Sequence, residues 1–165
     1  MIKKLILCFS LVIAVAGLTP GYCQDDHLRK AVKFMRQGDF LRAEGQYLLA
    51  IEKNPHSAEA HGCLGEIYVL RKRFSLAIKY LEKALSLGYR EPHIYISLAY
   101  SHTQNKDIDK AIEVYRAFVE ADPGSPEAHL GLASLYDRKG MKVEADSEYA
   151  IFRALRKPNH PIAGR

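Results

Sequence analysis

Small and large apolar residues recur along this chain at a fixed step of 34 residues. A row of small residues runs through Ala43, Ala77, Ala111 and Ala145. Two more rows keep the same step, one of small residues at Ala31, Gly65, Ala99 and Ala133, and one of large residues at Tyr47, Leu81, Tyr115 and Tyr149. A fixed period of 20–50 residues is typical of repeat proteins. Four copies share one register without insertion, at 24–57, 58–91, 92–125 and 126–159.

Each copy has the polar and apolar pattern of two helices. In the second copy, apolar positions recur at i, i+3, i+4 and i+7, first at His61, Leu64, Gly65 and Tyr68 and then at Ala77, Tyr80, Leu81 and Ala84. This spacing predicts a pair of amphipathic α-helices. Turn sequences separate the helices within a copy, as in Gln37-Gly38-Asp39, Asn105-Lys106-Asp107 and Lys139-Gly140. Because a single pair cannot cover its own apolar face, the pairs are expected to stack.

The pattern resembles the tetratricopeptide repeat family, whose 34-residue unit has Trp, Leu-Gly, Tyr, Ala, Phe and Pro at set spacings. The second copy keeps Leu64-Gly65, Tyr68 and Ala77, and Pro55 and Pro123 match the closing proline. The departures are His27, His61, Tyr95 and His129 in place of Trp, Lys30 in place of Leu, and Tyr89 and Lys157 in place of the closing Pro. The resemblance implies an all-α fold, a right-handed α-solenoid of four helix-turn-helix repeats over residues 24–159.

The resemblance also implies a concave groove, lined by the first helix of each repeat, that holds a peptide of a partner. Helical spacing places a strip of apolar residues and one arginine on this face: Leu28, Val32, Met35, Val69, Ile96, Tyr100, Leu130 and Arg138. Gly62 and Ser134 share the face and are small, so they predict pockets. Such a strip suits a peptide with apolar anchors. Ordinary scattered surface residues, or contact with the chain's own tail, are the alternative.

The C-terminal end predicts a second contact surface. Pro158 and Pro161 disfavour a further helix, and residues 160–165 are expected to form a short tail. Phe152 and Leu155 on the last helix would then have little to cover them. We expect this end to pack on a partner or on a second copy of the chain.

Residues 1–23 have the composition of a signal peptide. An uncharged apolar run from Leu5 to Leu18 follows Lys3 and Lys4, and it is shorter than the roughly 20 residues of a membrane-spanning helix. Gly21 and Cys23 are the small residues that cleavage after Cys23 requires. The alternatives are an uncleaved N-terminal membrane anchor and a lipoprotein acylated at Cys23. All three place the rest of the chain outside the cytoplasm, and the bacterial periplasm or envelope is the expected compartment.

Composition and charge narrow the function further. Apolar residues make up 48% and charged residues 26% of the 165 residues, as in globular domains. The net charge of +5 does not indicate a nucleic-acid partner. The sequence has no phosphate-binding loop or nucleophile elbow, and its seven histidines lack metal-ligand spacing. His61 and Cys63 lie two residues apart on one helix and point in different directions, so they do not form a catalytic pair.

The sequence therefore predicts a non-catalytic module that binds a protein or peptide partner. We expect no cofactor, metal, nucleic acid or small-molecule substrate. The alternative is a structural subunit of a bacterial envelope complex that docks through its C-terminal helix.

Overall fold

The computed structural model describes residues 26–156, which form eight α-helices and no strand. The helices follow one another as four antiparallel pairs: α1 (Asp26–Arg36) with α2 (Phe40–Lys53), α3 (Ala58–Leu70) with α4 (Phe74–Ser86), α5 (Pro92–Gln104) with α6 (Ile108–Ala121), and α7 (Pro126–Lys139) with α8 (Lys142–Leu155). Each helix packs on its neighbours along the chain, and α3 also packs on α5. The predicted all-α solenoid is confirmed.

Local sequence signals set where several helices begin. Asp39 accepts a hydrogen bond from the backbone N–H of Arg42 at 3.0 Å, which satisfies a free donor at the start of α2. Ser57 and Ser125 act in the same way at the starts of α3 and α7. Pro92 occupies the first turn of α5, where a missing N–H costs nothing.

The turn within each pair repeats its backbone geometry. Gly38, Lys72, Lys106 and Gly140 lie 34 residues apart, and their φ angles of 73°, 58°, 64° and 78° are all left-handed. Glycine adopts this conformation freely, whereas another residue loses about 1–2 kcal/mol in it. Since two of the four positions are lysines, helix packing must impose the shape of the turn.

The rows of small residues form the seams of the core. Ala31, Ala43, Ala77, Ala111, Ala133 and Ala145 are completely buried. A methyl carbon added to Gly65 would lie 2.6 Å from Cγ of Leu81 and 3.2 Å from its backbone nitrogen. The missing side chain at Gly65 therefore lets α3 and α4 approach closely. Between pairs, Gly131 of α7 makes room in the same way for the ring of Tyr115 from α6.

The two ends of the described solenoid differ in chemistry. Lys30 and Lys33 of α1 are exposed, whereas Leu64 and Ile67, which match them in the next pair, are completely buried. Asp26 pairs with Lys30 at 2.6 Å on the same helix. In contrast, Ala145 is the one buried residue of α8, and Leu155 is 40% exposed. The described solenoid thus has a charged first face, whereas its last helix exposes Val143, Ile151 and Leu155 among charged residues.

None of the eight helices in residues 26–156 combines the length and the apolar character of a transmembrane span.

The close packing at Gly65 generates a stability prediction. We expect Gly65→Ala to lower the free energy of unfolding by about 1–3 kcal/mol, because the added methyl overpacks the seam with α4. Gly45→Ala is the matched control. It lies mid-helix in α2 with no atom near the added carbon, and it should stabilise the protein by about 0.5–1 kcal/mol. Urea unfolding measures both, and equal effects of the two substitutions would contradict the close seam.

Candidate functional site

The first helices of the four pairs present one row of residues at the 34-residue step. Leu28 of α1, Gly62 of α3, Ile96 of α5 and Leu130 of α7 form this row. Ile96 is 37% exposed and Leu130 is 41% exposed, while Leu28 is half-buried against the core. The row therefore exposes apolar side chains on α5 and α7, at Ile96 and Leu130.

The pocket predicted at Gly62 is wrong. A methyl carbon at Gly62 would lie 2.7 Å from Cδ1 of Tyr89 and 3.1 Å from Cδ1 of Ile94, so the tyrosine ring already covers this space. Tyr89 lies in the turn before α5, at the position where Pro55 and Pro123 stand in other repeats. The sequence indicates only that Tyr89 replaces a proline. It does not predict that the Tyr89 ring covers Gly62 on the groove face.

A second row follows one helical turn later and is mixed in character. It contains Val32, Glu66, Tyr100 and Ser134. Tyr100 is 47% exposed, and its ring lies edge-on to that of Phe74 with centroids 5.8 Å apart. Because Ile96 and Tyr100 are four residues apart on α5, they share a face and form an exposed apolar part of the groove.

The other residues predicted to line the groove differ in how deeply they are buried. Met35 and Val69 are half-buried and pack against the core, so they serve the fold as well as the surface. Arg138 is exposed near the end of α7. Leu28 and Val32 line a cavity of about 210 Å³ together with Arg29 and Glu59. This cavity gives the groove an apolar recess with charge at its edge.

The middle of the groove is polar. Oε1 of Glu66 lies 3.8 Å from Nε2 of His93 across α3 and α5. Burial raises the pKa of the Glu66 carboxyl, and the nearby His93 opposes that rise. Burial also raises the pKa of Tyr89 to about 12. The sequence alone does not predict this contact between Glu66 and His93.

The surroundings of Cys63 favour its thiol over the reactive thiolate. It is half-buried next to the Tyr47 hydroxyl, and burial raises the pKa of its thiol. The thiolate is the nucleophilic form of cysteine, so a raised pKa lowers reactivity at neutral pH.

The two surfaces predicted from sequence meet at the end of the solenoid. Leu130 of the groove row and Phe152 of α8 line one cavity of about 230 Å³, together with Pro126, Glu127 and Arg156. The guanidinium of Arg156 lies over the Phe152 ring, 5.4 Å from its centroid. Phe152 is thus partly covered, whereas Leu155 remains open to solvent.

The residues that replace the family's tryptophan hold the helix pairs together. Both ring nitrogens of His129 lie near oxygen atoms, Nδ1 at 2.6 Å from Glu148 and Nε2 at 3.1 Å from the Pro123 carbonyl. Nε2 of His61 lies 3.0 Å from the Pro55 carbonyl, and the Tyr95 ring stacks on Phe118 at 4.8 Å. Within the described residues, no three His, Cys, Asp or Glu side chains converge to hold a metal ion.

Related sequences match this chain over part of their length. The chain is 30% identical over 117 residues, 70% of its length, to the general transcriptional corepressor ssn6 of Schizosaccharomyces pombe, of which it spans 10%. It spans 10% of ssn6 and 25% of the BBSome complex member BBS4 of Bos taurus, so it covers only part of the length of these relatives.

Solved structures share the fold. MamA superposes with a TM-score of 0.75 at 23% identity, covering 86% of this chain and 82% of MamA. YrrB, described as a tetratricopeptide repeat protein with an unusual peptide-binding site, superposes with a TM-score of 0.70 at 22% identity, covering 79% of this chain and 67% of YrrB. At these identities the likeness shows a common architecture.

Family models cover the stacked helices. Tetratricopeptide repeat models match residues 28–92 and residues 92–135, which together make up more than half of the chain. The matched segments run from α1 into α7, through the rows of small residues that form the seams. The chain therefore belongs to the tetratricopeptide repeat family.

Proposed function

We propose that the protein is a non-catalytic interaction module that binds a peptide segment of a partner along α1, α3, α5 and α7. The observation that carries the proposal is the exposed apolar strip at Ile96, Tyr100 and Leu130. These side chains lie on the face that the first helices share, and they are not needed to fill the core. Exposed apolar side chains in rows along one face offer a surface that the apolar side chains of a partner can cover.

The groove also favours a particular chemistry in the peptide. Apolar side chains of the partner would contact Ile96 and Tyr100 and enter the recess beside Leu28 and Val32. Glu59 at that recess and Glu66 in the middle of the groove would pair with a cationic group. The peptide that fits best has apolar anchors separated by a basic residue.

The comparisons support a binding role without assigning a residue to it. YrrB is described as having a peptide-binding site, and ssn6 is a corepressor. Both descriptions name a protein that acts by contact with another molecule.

A second candidate function is docking through α8. Leu155 and Ile151 are 40% and 38% exposed, and the cavity beside Phe152 opens next to them. A second copy stacked head to tail would set these apolar residues against Lys33 and against Lys30 with its partner Asp26, and burying these charges costs free energy. The C-terminal face would therefore meet an apolar surface of another protein, or the same face of a second copy.

We also propose that the protein is located in a bacterial envelope. The support is the charge and apolar pattern of residues 1–23, a leader that lies outside the described residues. The periplasm follows from cleavage after Cys23, and the two alternatives are a retained anchor and a lipid-modified Cys23.

Substitution on α5 tests the groove. The partner is first recovered by affinity purification of the tagged full-length protein, and its dissociation constant is then measured with purified components. We expect Ile96→Ala with Tyr100→Ala to weaken binding roughly tenfold or more, as truncation of interface anchors does. Leu49→Ala, at an exposed leucine on α2 outside the groove, is the control. Unchanged affinity in the double variant would contradict the groove proposal.

Substitution on α8 tests the second candidate. If α8 is the docking face, Leu155→Glu should dissociate the complex or the dimer, because it places a charge in an apolar interface. Val143→Glu, at an exposed residue of the same helix, is the matched control. Sedimentation velocity measures the change. A wild-type protein that remains a monomer at high concentration would rule out the second copy as the occupant.

The mature N-terminus tests the leader. We expect N-terminal sequencing of the protein from the envelope fraction to begin at Gln24. A protein that keeps Met1 would indicate an anchor, and a blocked, lipid-modified Cys23 would indicate a lipoprotein. Recovery of the intact chain from the cytoplasm would overturn all three versions.

A further inference from the structure

A cavity of about 330 Å³ lies between α4, α5 and α6, away from the groove. Its size falls in the range of about 300–1,000 Å³ that is typical of ligand sites. Tyr95, Leu98 and His102 line it from α5. Their spacing of three and four residues puts them on a different face of α5 from Ile96 and Tyr100. The cavity is therefore separate from the proposed peptide groove.

In the second helix pair, a ring of the protein itself lies in the matching space. The Tyr80 ring of α4 contacts His61 and Tyr68 of α3, with centroids 5.8 Å and 5.4 Å apart. One repeat later, Tyr95 stands at the position of His61 and His102 at that of Tyr68.

Val114 stands at the position of Tyr80 and also lines the cavity. Valine has no ring, and the cavity opens beside it. Phe118, at the position of Ala84, stacks on Tyr95 at 4.8 Å, so the open space lies beside Val114 and His102 and next to the part of the Tyr95 ring that Phe118 leaves uncovered. The position of the Tyr80 ring in the second pair thus indicates how an aromatic ring could lie in the cavity of the third pair.

His102 adds a polar group to the wall of the cavity. Its residue surface is 4% exposed, and its Nε2 lies 3.8 Å from Oε1 of Glu82, beyond hydrogen-bond distance. The aromatic hydroxyls at the matching positions are bonded. Tyr68 donates to Glu44 at 3.0 Å, and Tyr136 accepts from Nε of Arg116 at 2.9 Å. A donor placed between His102 and Glu82 would satisfy both acceptors.

The rim of the cavity favours positive charge. Glu82 and Glu113 lie at its edge and are exposed. Glu113 occupies the position that Lys79 has in the second pair, where the lysine lies 5.5 Å from the centre of the Tyr80 ring. Lys110 also lines the cavity, but it pairs with Asp107 at 3.3 Å. The third pair has therefore replaced a cation beside the ring space with an anion.

We propose that this cavity binds an aromatic side chain of a protein partner that stands next to a lysine or arginine. The ring lies beside Tyr95 and His102, as Tyr80 lies beside His61 and Tyr68, at distances suited to aromatic pairs. The basic group donates to Nε2 of His102 and to the Glu82 carboxylate, with Glu113 nearby. This site is independent of the peptide groove, and either one can exist without the other.

The protonation state of His102 supports the assignment. Burial lowers the pKa of its imidazole below the ordinary value of 6.5. Glu82, Asp107 and Glu113 act against this shift and Lys110 acts with it. The ring is therefore neutral at pH 7.5, and Nε2 can accept a hydrogen bond. As the pH falls through the lowered pKa, His102 gains a charge that repels a cationic ligand.

Two dipeptides test the site on the purified full-length protein. N-acetyl-Tyr-Lys-amide carries the proposed chemistry, and N-acetyl-Tyr-Glu-amide has the same ring with the opposite charge. Chemical shifts of the backbone amides are followed by NMR during titration. We expect the lysine dipeptide to give saturable shifts at Val114 and His102 at pH 7.5. No saturable shift, or equal binding of the two dipeptides, would overturn the proposal.

Two variants make the test specific. Val114→Tyr should abolish binding, because the new ring fills the space as Tyr80 does in the second pair; Val114→Thr is the control of matched size. Glu113→Lys changes an exposed residue and leaves the core intact. It should weaken the lysine dipeptide several-fold, whereas Glu120→Lys elsewhere on α6 should not. Retained binding in Val114→Tyr would refute the site. Tighter binding of free tyramine than of the lysine dipeptide would assign the cavity to a small amine and overturn the protein partner.

Discussion

The structure depends on the close approach of two helices within each repeat. The completely buried small residues Ala31, Ala43 and Ala77 permit it, and Leu81 lies so close to Gly65 that an added methyl group would clash. Because this approach is the same in each pair, the turns adopt the same left-handed backbone even where the residue is a lysine. Uniform pairs then stack in a uniform register.

Because the backbone repeats uniformly, the side chains on the exposed faces can differ from one helix pair to the next. The outward face of α1 is charged, whereas α8 exposes Val143, Ile151 and Leu155 among its charged residues, so the described solenoid has distinct ends. On the groove side, the row through Ile96 and Leu130 is apolar, while Glu66 and His93 make its middle polar. Residues that set the fold and residues proposed to contact a partner are thus largely separate, although Leu28 and Val69 of the proposed groove also pack against the core.

The fold could be predicted from sequence because one period fixes helix spacing, turns and seams together. The candidate site could be predicted only in part. Helical spacing identified the face of Ile96 and Tyr100, but not that Tyr89 reaches over Gly62 from a turn. The cavity beside His102 was also missed, since it depends on side chains of three helices. A signal was nevertheless present, because His102 interrupts a row that is otherwise aromatic at Phe34, Tyr68 and Tyr136.

Site-specific photocrosslinking in cells is the measurement that tests the binding account most directly. A photoreactive amino acid at position 100 lies in the exposed part of the groove, and the same group at position 49 or 155 reports on α2 or on the C-terminal face. The account predicts one discrete adduct with an envelope protein from position 100 and none from position 49. An adduct from position 155 with none from position 100 would contradict it and move the interaction to the end of the solenoid.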